Sequence, residues 1–238
     1  MGVLESKVVL ITGGTGSFGQ RAVARFLDEG ARKVIIYSRD EYKQSAMRSS
    51  FKSEPRLEFR LGDVRDCRRL TEICEGVDHI IHAAAMKQVP SCEENPLEAV
   101  LTNVMSASNV IEAATQNMVE KVVNLSADKA VYSTSVYGAT KFLSERLFIE
   151  ASRKGRTRYI NLRYSNVLDS RGSVFEVFSN RLLRGEAVSV FDAQMTRFFL
   201  TQDQVVELCL LAFENGVGGE TYIKLAPPVN ILKLAEIM

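Results

Sequence analysis

Short apolar runs alternate with longer amphipathic stretches along this chain. Val8-Val9-Leu10-Ile11, Val34-Ile35-Ile36-Tyr37, His79-Ile80-Ile81-His82-Ala83, Lys121-Val122-Val123-Asn124-Leu125 and Tyr159-Ile160-Asn161-Leu162-Arg163 are compact and rich in β-branched residues, whereas Leu57-Glu58-Phe59-Arg60-Leu61 alternates. Near-continuous apolar runs suit strands buried on both faces. Between them, residues 18–27 carry Phe18, Ala22, Val23, Phe26 and Leu27 at helical spacing. Residues 96–115 predict a helix with Asn95 as its cap and Pro96 at its first position. Residues 137–151 place Leu143, Leu147 and Ala151 on one stripe. Strand–helix alternation of this kind predicts an α/β fold with a doubly wound parallel sheet.

Beyond about Tyr164 the character changes. Asp169-Ser170-Arg171-Gly172-Ser173 reads as a polar loop, followed by a helical pattern to Leu183 and a second helix over 201–215 capped by Thr201. This part predicts a small C-terminal lobe. The periodic run 231–237 meets the last residue without a C-cap signal, so the chain is expected to be truncated there.

Composition narrows the class. The 238 residues carry 30 Lys plus Arg against 29 Asp plus Glu, a net charge of +1, which argues against a nucleic-acid coat. No apolar run approaches the roughly 18–20 residues of a membrane span, and residues 1–7 lack a secretory signal pattern. A cytoplasmic protein without membrane or nucleic-acid partners is expected. Cys67, Cys74, Cys92 and Cys209 form no C-x-x-C pair and no zinc-like spacing with His79 or His82, so reduced thiols and no metal are expected.

Thr12-Gly13-Gly14-Thr15-Gly16-Ser17-Phe18-Gly19 joins the first strand to the first helix. Gly13, Gly16 and Gly19 form a T-G-x-x-G-x-x-G string. Such glycines permit a tight turn and close approach to a pyrophosphate, which the free N–H groups of the helix start then bind. A dinucleotide site follows, with Thr15, Ser17 and Phe18 in the same loop. At the tip of the second strand stand Ser38, Arg39 and Asp40, with Lys43 a turn further on. Two cations suit a 2′-phosphate and favour NADP; the alternative gives the ribose to Asp40 and leaves Arg39 and Lys43 solvated. Asp63 and Val64 follow the third strand, where a carboxylate can accept from the adenine amino group. Ala83, Ala84 and Ala85 follow the fourth, where small side chains leave room for a cofactor.

Tyr137 and Lys141 are four apart on a predicted helix and share a face. An ammonium beside the phenol is expected to lower its pKa and make it a usable base. Ser126-Ala127-Asp128-Lys129 follows the fifth strand, where doubly wound sheets bind ligands. Asp128 and Lys129 read either as an acid–base pair or as a solvated salt bridge.

The glycine string with Tyr137-Gly138-Ala139-Thr140-Lys141 resembles the extended short-chain dehydrogenase/reductases. More specific are Tyr37-Ser38-Arg39-Asp40-Glu41-Tyr42-Lys43-Gln44, Leu61-Gly62-Asp63-Val64-Arg65-Asp66 and His82-Ala83-Ala84-Ala85-Met86-Lys87-Gln88-Val89-Pro90. Asp128-Lys129-Ala130 and Met195-Thr196-Arg197-Phe198 belong with them. Together these stretches resemble the polysaccharide-biosynthesis dehydratases, and among them the inverting UDP-N-acetylglucosamine 4,6-dehydratases of the pseudaminic acid pathway.

The resemblance implies a Rossmann domain over 1–165 and a partial substrate-binding lobe over 166–238, interleaved with it. It implies NADP as cofactor, a UDP-sugar as substrate and a homo-oligomeric assembly. It also implies a redox-neutral reaction: oxidation at C4 of the sugar, loss of water across C5 and C6, and return of hydride to C6. Tyr137 takes the O4 proton, Lys141 holds the ribose, Lys129 removes the C5 proton and Asp128 protonates the leaving hydroxyl. Lys87, also set at the cofactor, together with Asn166, Thr196 and Arg197, is implied at the substrate, with Arg197 on the diphosphate.

The chain departs from the family pattern at Ala127, usually a threonine that bonds the sugar O4; neighbouring Ser126 carries a hydroxyl that can substitute. Ser165 and Asp169 replace two usual glycines. A sugar-nucleotide 4-epimerase, which needs Tyr137 and Lys141 but no Asp128–Lys129 pair, is the rival enzyme. A non-catalytic NADP-binding sensor is the rival of another class.

Overall fold

The computed structural model describes residues 2–52, 54–168, 170 and 172–238; Asp169 and Arg171 of the polar loop lie outside the described residues. The chain runs β1 (Val8–Thr12), α1 (Ser17–Asp28), β2 (Lys33–Ser38), α2 (Glu41–Ser50), β3 (Leu57–Leu61), α3 (Cys67–Ile73) and β4 (His79–His82). Then come α4 (Val89–Glu94), α5 (Pro96–Val100), a π-helical segment (Leu101–Met105) and α6 (Ser106–Gln116). β5 (Lys121–Leu125) reaches α7 (Val136–Lys154) through a 3-10 turn at Asp128–Ala130. β6 (Arg158–Arg163), β7 (Asn166–Val167), α8 (Val174–Leu183), β8 (Thr196–Leu200), α9 (Gln202–Asn215), β9 (Thr221–Ile223), β10 (Pro228–Asn230) and α10 (Ile231–Ile237) follow.

Among the described residues, seven strands form one sheet in the order β3-β2-β1-β4-β5-β6-β9, every neighbouring pair parallel. The order reverses between β1 and β4, and such a switch point opens a crevice beyond the carboxyl ends of the strands. Side chains alternate across the sheet. Val9, Ile11, Val34, Ile36, Ile81, Val123, Ile160 and Leu162 pack with α1 and α9, through Phe26, Val206 and Phe213 among others. Val8, Leu10, Ile35, Ile80, Val122 and Tyr159 pack on the other face with α3, α6 and α7. Truncating a fully buried anchor such as Phe26 or Phe148 to alanine is expected to cost about 3–5 kcal/mol.

Three local expectations are corrected. β4 ends at His82, so Ala83 belongs to the loop that follows. The helix expected over 96–115 carries the π-helical segment at its centre. There the Asn103 amide is fixed in both directions to the backbone of Met86, at 2.8 and 3.0 Å, and to the Thr140 hydroxyl at 3.0 Å. Asn95 does not cap its helix with its side chain, which instead donates back to the Ser91 carbonyl.

The residues after 165 are shared between two layers. α9 lies on α1, and β9 extends the large sheet at the β6 edge. β7, β8 and β10 form a separate three-stranded sheet, with β8 parallel to β7 and antiparallel to β10.

Candidate active site

A cleft of about 1130 Å³ runs along the carboxyl ends of the strands and into the small sheet. It brings together Gly13, Thr15, Gly16, Ser17 and Phe18 with Ser38, Arg39, Asp40 and Lys43. Asp63, Val64, Ala83, Ala84, Ala85 and Lys87 line the same space, as do Asp128, Lys129, Tyr137, Asn166 and Arg197.

The glycine turn is built for close approach. Gly13 sits at φ +67°, and a Cβ there would lie 2.7 Å from the Ala84 Cα. A Cβ on Gly19 would overlap the Gly14 carbonyl, so Gly19 is a packing glycine buried in α1 rather than a lining residue. Gly16, at the N-cap of α1, offers no side-chain cap, whereas α2, α7 and α9 are capped by Asp40, Ser135 and Thr201. The N–H groups at the start of α1 thus face the cleft available to an anion. These features fit a dinucleotide pyrophosphate.

At the other end, Asp40 spends its carboxylate on α2: it accepts from the Lys43 N–H at 2.9 Å and pairs with the Lys43 ammonium at 2.5 Å. Ser38 is held by Gln44, whose amide nitrogen donates to the Ser38 carbonyl, the Ser38 hydroxyl and the Arg60 carbonyl. Arg39 lies 3.6 Å from Asp63, which Arg65 also clamps at 2.7 Å. The arginines hold the Asp63 carboxyl below its ordinary range despite partial burial. Gln44 and Arg65 stand inside the motifs of the sequence but carry no pattern of their own.

Tyr137 emerges at the first turn of α7. Ser135 caps that turn by accepting from Gly138, and Glu93 on α4 accepts from the Val136 N–H at 2.7 Å. The expected lowering of the Tyr137 pKa is not found. Burial pushes the phenol up, and the nearby Asp128 carboxylate adds to the rise. Lys141 is 3% exposed and lies beneath the cleft wall rather than in it; burial brings its ammonium down to about 8, partly opposed by Glu145.

Asp128 and Lys129 point into the cleft and pair at 3.0 Å. The Asp128 N–H donates to the Tyr164 carbonyl, tying this turn to the end of β6. Ser126 is a correction: it is 2% exposed and donates to the Glu145 carboxylate at 2.5 Å, away from the cleft. Ala127 occupies the lining position instead. Thr196 is a second correction. On β8 successive side chains alternate, so Arg197 and Phe199, like Met195 just before the strand, line the cleft while Thr196 does not.

Sequence reasoning missed Asn103, Glu145, Tyr164, Arg181 and Phe191. The last three line the cleft, and Glu145 lay legible one turn beyond Lys141. The four cysteines are free thiols. Among the described residues no helix is long and apolar enough to cross a membrane.

A family model described as "Polysaccharide biosynthesis protein" matches residues 9–238. A UDP-glucose 4-epimerase of Rickettsia conorii is 43% identical over 239 residues, covering 98% of this chain and 70% of that protein. Pen from Bacillus thuringiensis has a solved structure that superposes with a TM-score of 0.94 at 38% identity, covering 98% of this chain and 73% of that one. The dTDP-glucose 4,6-dehydratase DesIV of Streptomyces venezuelae, solved with NAD and TYD bound, has a TM-score of 0.90 at 24% identity, covering 97% and 79%. The fold and the cleft define an enzyme of the extended short-chain dehydrogenase/reductase class, which includes these nucleotide-sugar epimerases and dehydratases. The chain belongs to the polysaccharide biosynthesis protein family.

Proposed function

We propose that this enzyme is an NADP-dependent nucleotide-sugar 4,6-dehydratase acting on UDP-N-acetylglucosamine with inversion at C5. The observation that carries the reading is the Asp128–Lys129 pair, exposed to the cleft beside Tyr137. Oxidation at C4 alone needs one proton acceptor. Eliminating water needs two further groups, one to remove the C5 proton and one to protonate the departing hydroxyl.

Gly13, Thr15, Gly16 and Ser17 would hold the pyrophosphate, and Ser38, Arg39 and Lys43 the 2′-phosphate. When bound, the oxidised dinucleotide would supply a hydride acceptor that can give the hydride back in the same turnover. Tyr137 takes the O4 proton as the alcohol is oxidised. Lys129 then removes the C5 proton, made acidic by the 4-keto group, while Asp128 protonates the C6 hydroxyl. Return of the hydride to C6 together with protonation of C5 from the opposite face saturates the C5–C6 double bond, restores the redox balance and gives the inverted product. Arg197 would orient the diphosphate and Lys87 and Asn166 the sugar, with the small sheet of β7, β8 and β10 supplying the lobe that receives it.

The name carried by the Rickettsia relatives favours a second reading, UDP-glucose 4-epimerase, which uses Tyr137 without an elimination. Mass spectrometry of the product separates the two. The dehydratase releases one water per sugar; an unchanged product mass after turnover rejects the proposal.

A further inference from the structure

One turn beyond Lys141 on α7 lies Glu145, a carboxylate only 1% exposed. The ends of two strands converge on it. Ser126, just past the end of β5, donates to its Oε1. Arg163, at the end of β6, grips both oxygens, Nε to Oε1 at 2.9 Å and Nη2 to Oε2 at 2.6 Å. Lys141 shares its helix face. A buried carboxylate is retained only where it is paired and hydrogen-bonded, and Arg163 alone satisfies that need. The structure nevertheless brings a second buried cation, Lys141, into the field of the same anion.

We propose that Glu145 is a positioning residue for the reaction: its carboxylate, anchored from β5 and β6, keeps the Lys141 ammonium charged and in place behind Tyr137. The inference deepens the reading of Tyr137 and Lys141 as the oxidising pair and rests on it for its consequence in turnover. The link itself is that of two buried, oppositely charged side chains one turn apart on the same face of α7.

Other groups around this part of α7 do not take over the role. His82 on β4 is neutral, hydrogen-bonded to Thr12 and Ser106, and is itself held neutral in part by Lys141. Cys92 on α4 and Asp128 act on Tyr137. Glu93 accepts from the start of α7, Lys129 pairs with Asp128, and Arg163 is committed to Glu145. Burial drives the Lys141 proton off, and Glu145 is the charge that opposes this. Glutamine at 145 keeps one oxygen that can accept from Ser126 and from Arg163 Nε, loses the second acceptor that takes Arg163 Nη2, and carries no charge.

The test titrates Lys141 directly in the ligand-free protein. Lysines carry a 13C label at Cε, and the Lys141 signal is assigned by its loss in Lys141→Arg. The wild-type midpoint is expected near 8. In Glu145→Gln it drops by about one unit or more. Ser126→Ala, which removes a hydrogen bond but no charge, leaves it nearly in place. Glu145→Asp, which draws the charge back by one methylene, gives an intermediate value and serves as the readout if Glu145→Gln does not fold. An unmoved midpoint in a folded Glu145 variant overturns the proposal. A moved midpoint in a protein that turns over no nucleotide sugar leaves the link standing and sinks the catalytic reading instead.

Discussion

The Asp40 carboxylate accepts the Lys43 backbone N–H at 2.9 Å and pairs with the Lys43 ammonium, so it caps α2. A carboxylate engaged in this way has less capacity left for a ribose 2′-OH, and Ser38, Arg39 and Lys43 line the cleft beside it. Arg39→Ala combined with Lys43→Ala should weaken NADP(H) binding at least about tenfold, the scale of lost charged hydrogen bonds. NAD(H) binding should change little. Calorimetry with both dinucleotides checks this; equal losses for both would contradict a 2′-phosphate site.

Two of the motif glycines, Gly16 and Gly19, should fail in different ways. At Gly16 an added Cβ meets nothing nearer than the Gly13 carbonyl at 3.5 Å, an ordinary contact. Gly16→Ala should therefore keep its melting temperature but lose cofactor affinity, because the methyl stands where a pyrophosphate approaches. Gly19→Ala overlaps the Gly14 backbone and should lower the melting temperature itself. Thermal melts with and without dinucleotide separate these outcomes.

Arg197 and Thr196 are neighbours on β8 that face opposite ways. Arg197→Ala should raise KM for the nucleotide sugar about tenfold or more, as loss of a charged hydrogen bond does. Thr196→Ala should leave KM unchanged. Steady-state kinetics on the two variants reads the orientation of the strand, and a large effect at Thr196 would reverse it.

His82 is fully buried and held near a pKa of about 3, against 6.5 in the unfolded chain. Burial is the main cause, and the Lys141 charge adds to it. As pH falls below 6.5 the unfolded chain binds the proton first, so stability present above pH 6.5 is lost progressively down to about pH 3. The loss from this group is about 2 kcal/mol by pH 5. His82→Gln should be less stable at neutral pH yet show a flatter decline on acidification. Urea unfolding at pH 7 and pH 5 gives the comparison; parallel declines would remove His82 as the cause.

Much of the fold was legible because the parallel sheet is buried on both faces, which writes runs such as Val8-Val9-Leu10-Ile11 and Val34-Ile35-Ile36-Tyr37 as unbroken apolar segments. The π-helical segment was not, since it depends on Asn103 meeting the backbone of Met86 across the fold. The glycine turn and Tyr137 were readable from spacing. Ser126 and Thr196 were misplaced because motif membership does not say which way a side chain points. Strand alternation settles Thr196, while only the meeting of β5, β6 and α7 at Glu145 settles Ser126. The Tyr137 pKa went the other way because burial and the Asp128 carboxylate both raise it, while Lys141 lies beneath the cleft wall.

The proposed elimination gives Lys129 the C5 proton. Lys129→Ala should slow washout of the C5 hydrogen into deuterated solvent about a hundredfold or more, within the range for loss of a general base. Tyr137→Phe should abolish oxidation while retaining cofactor binding. Washout unchanged in Lys129→Ala would take that residue out of the base role.

The central claim is elimination of water through a transient ketone, and NMR of the reaction in deuterated water tests it most directly. With UDP-N-acetylglucosamine and NADP, the account predicts a 4-keto-6-deoxy sugar, inverted at C5 and carrying deuterium there. A product that keeps its C6 hydroxyl and its C5 hydrogen and differs only in configuration at C4 would contradict it.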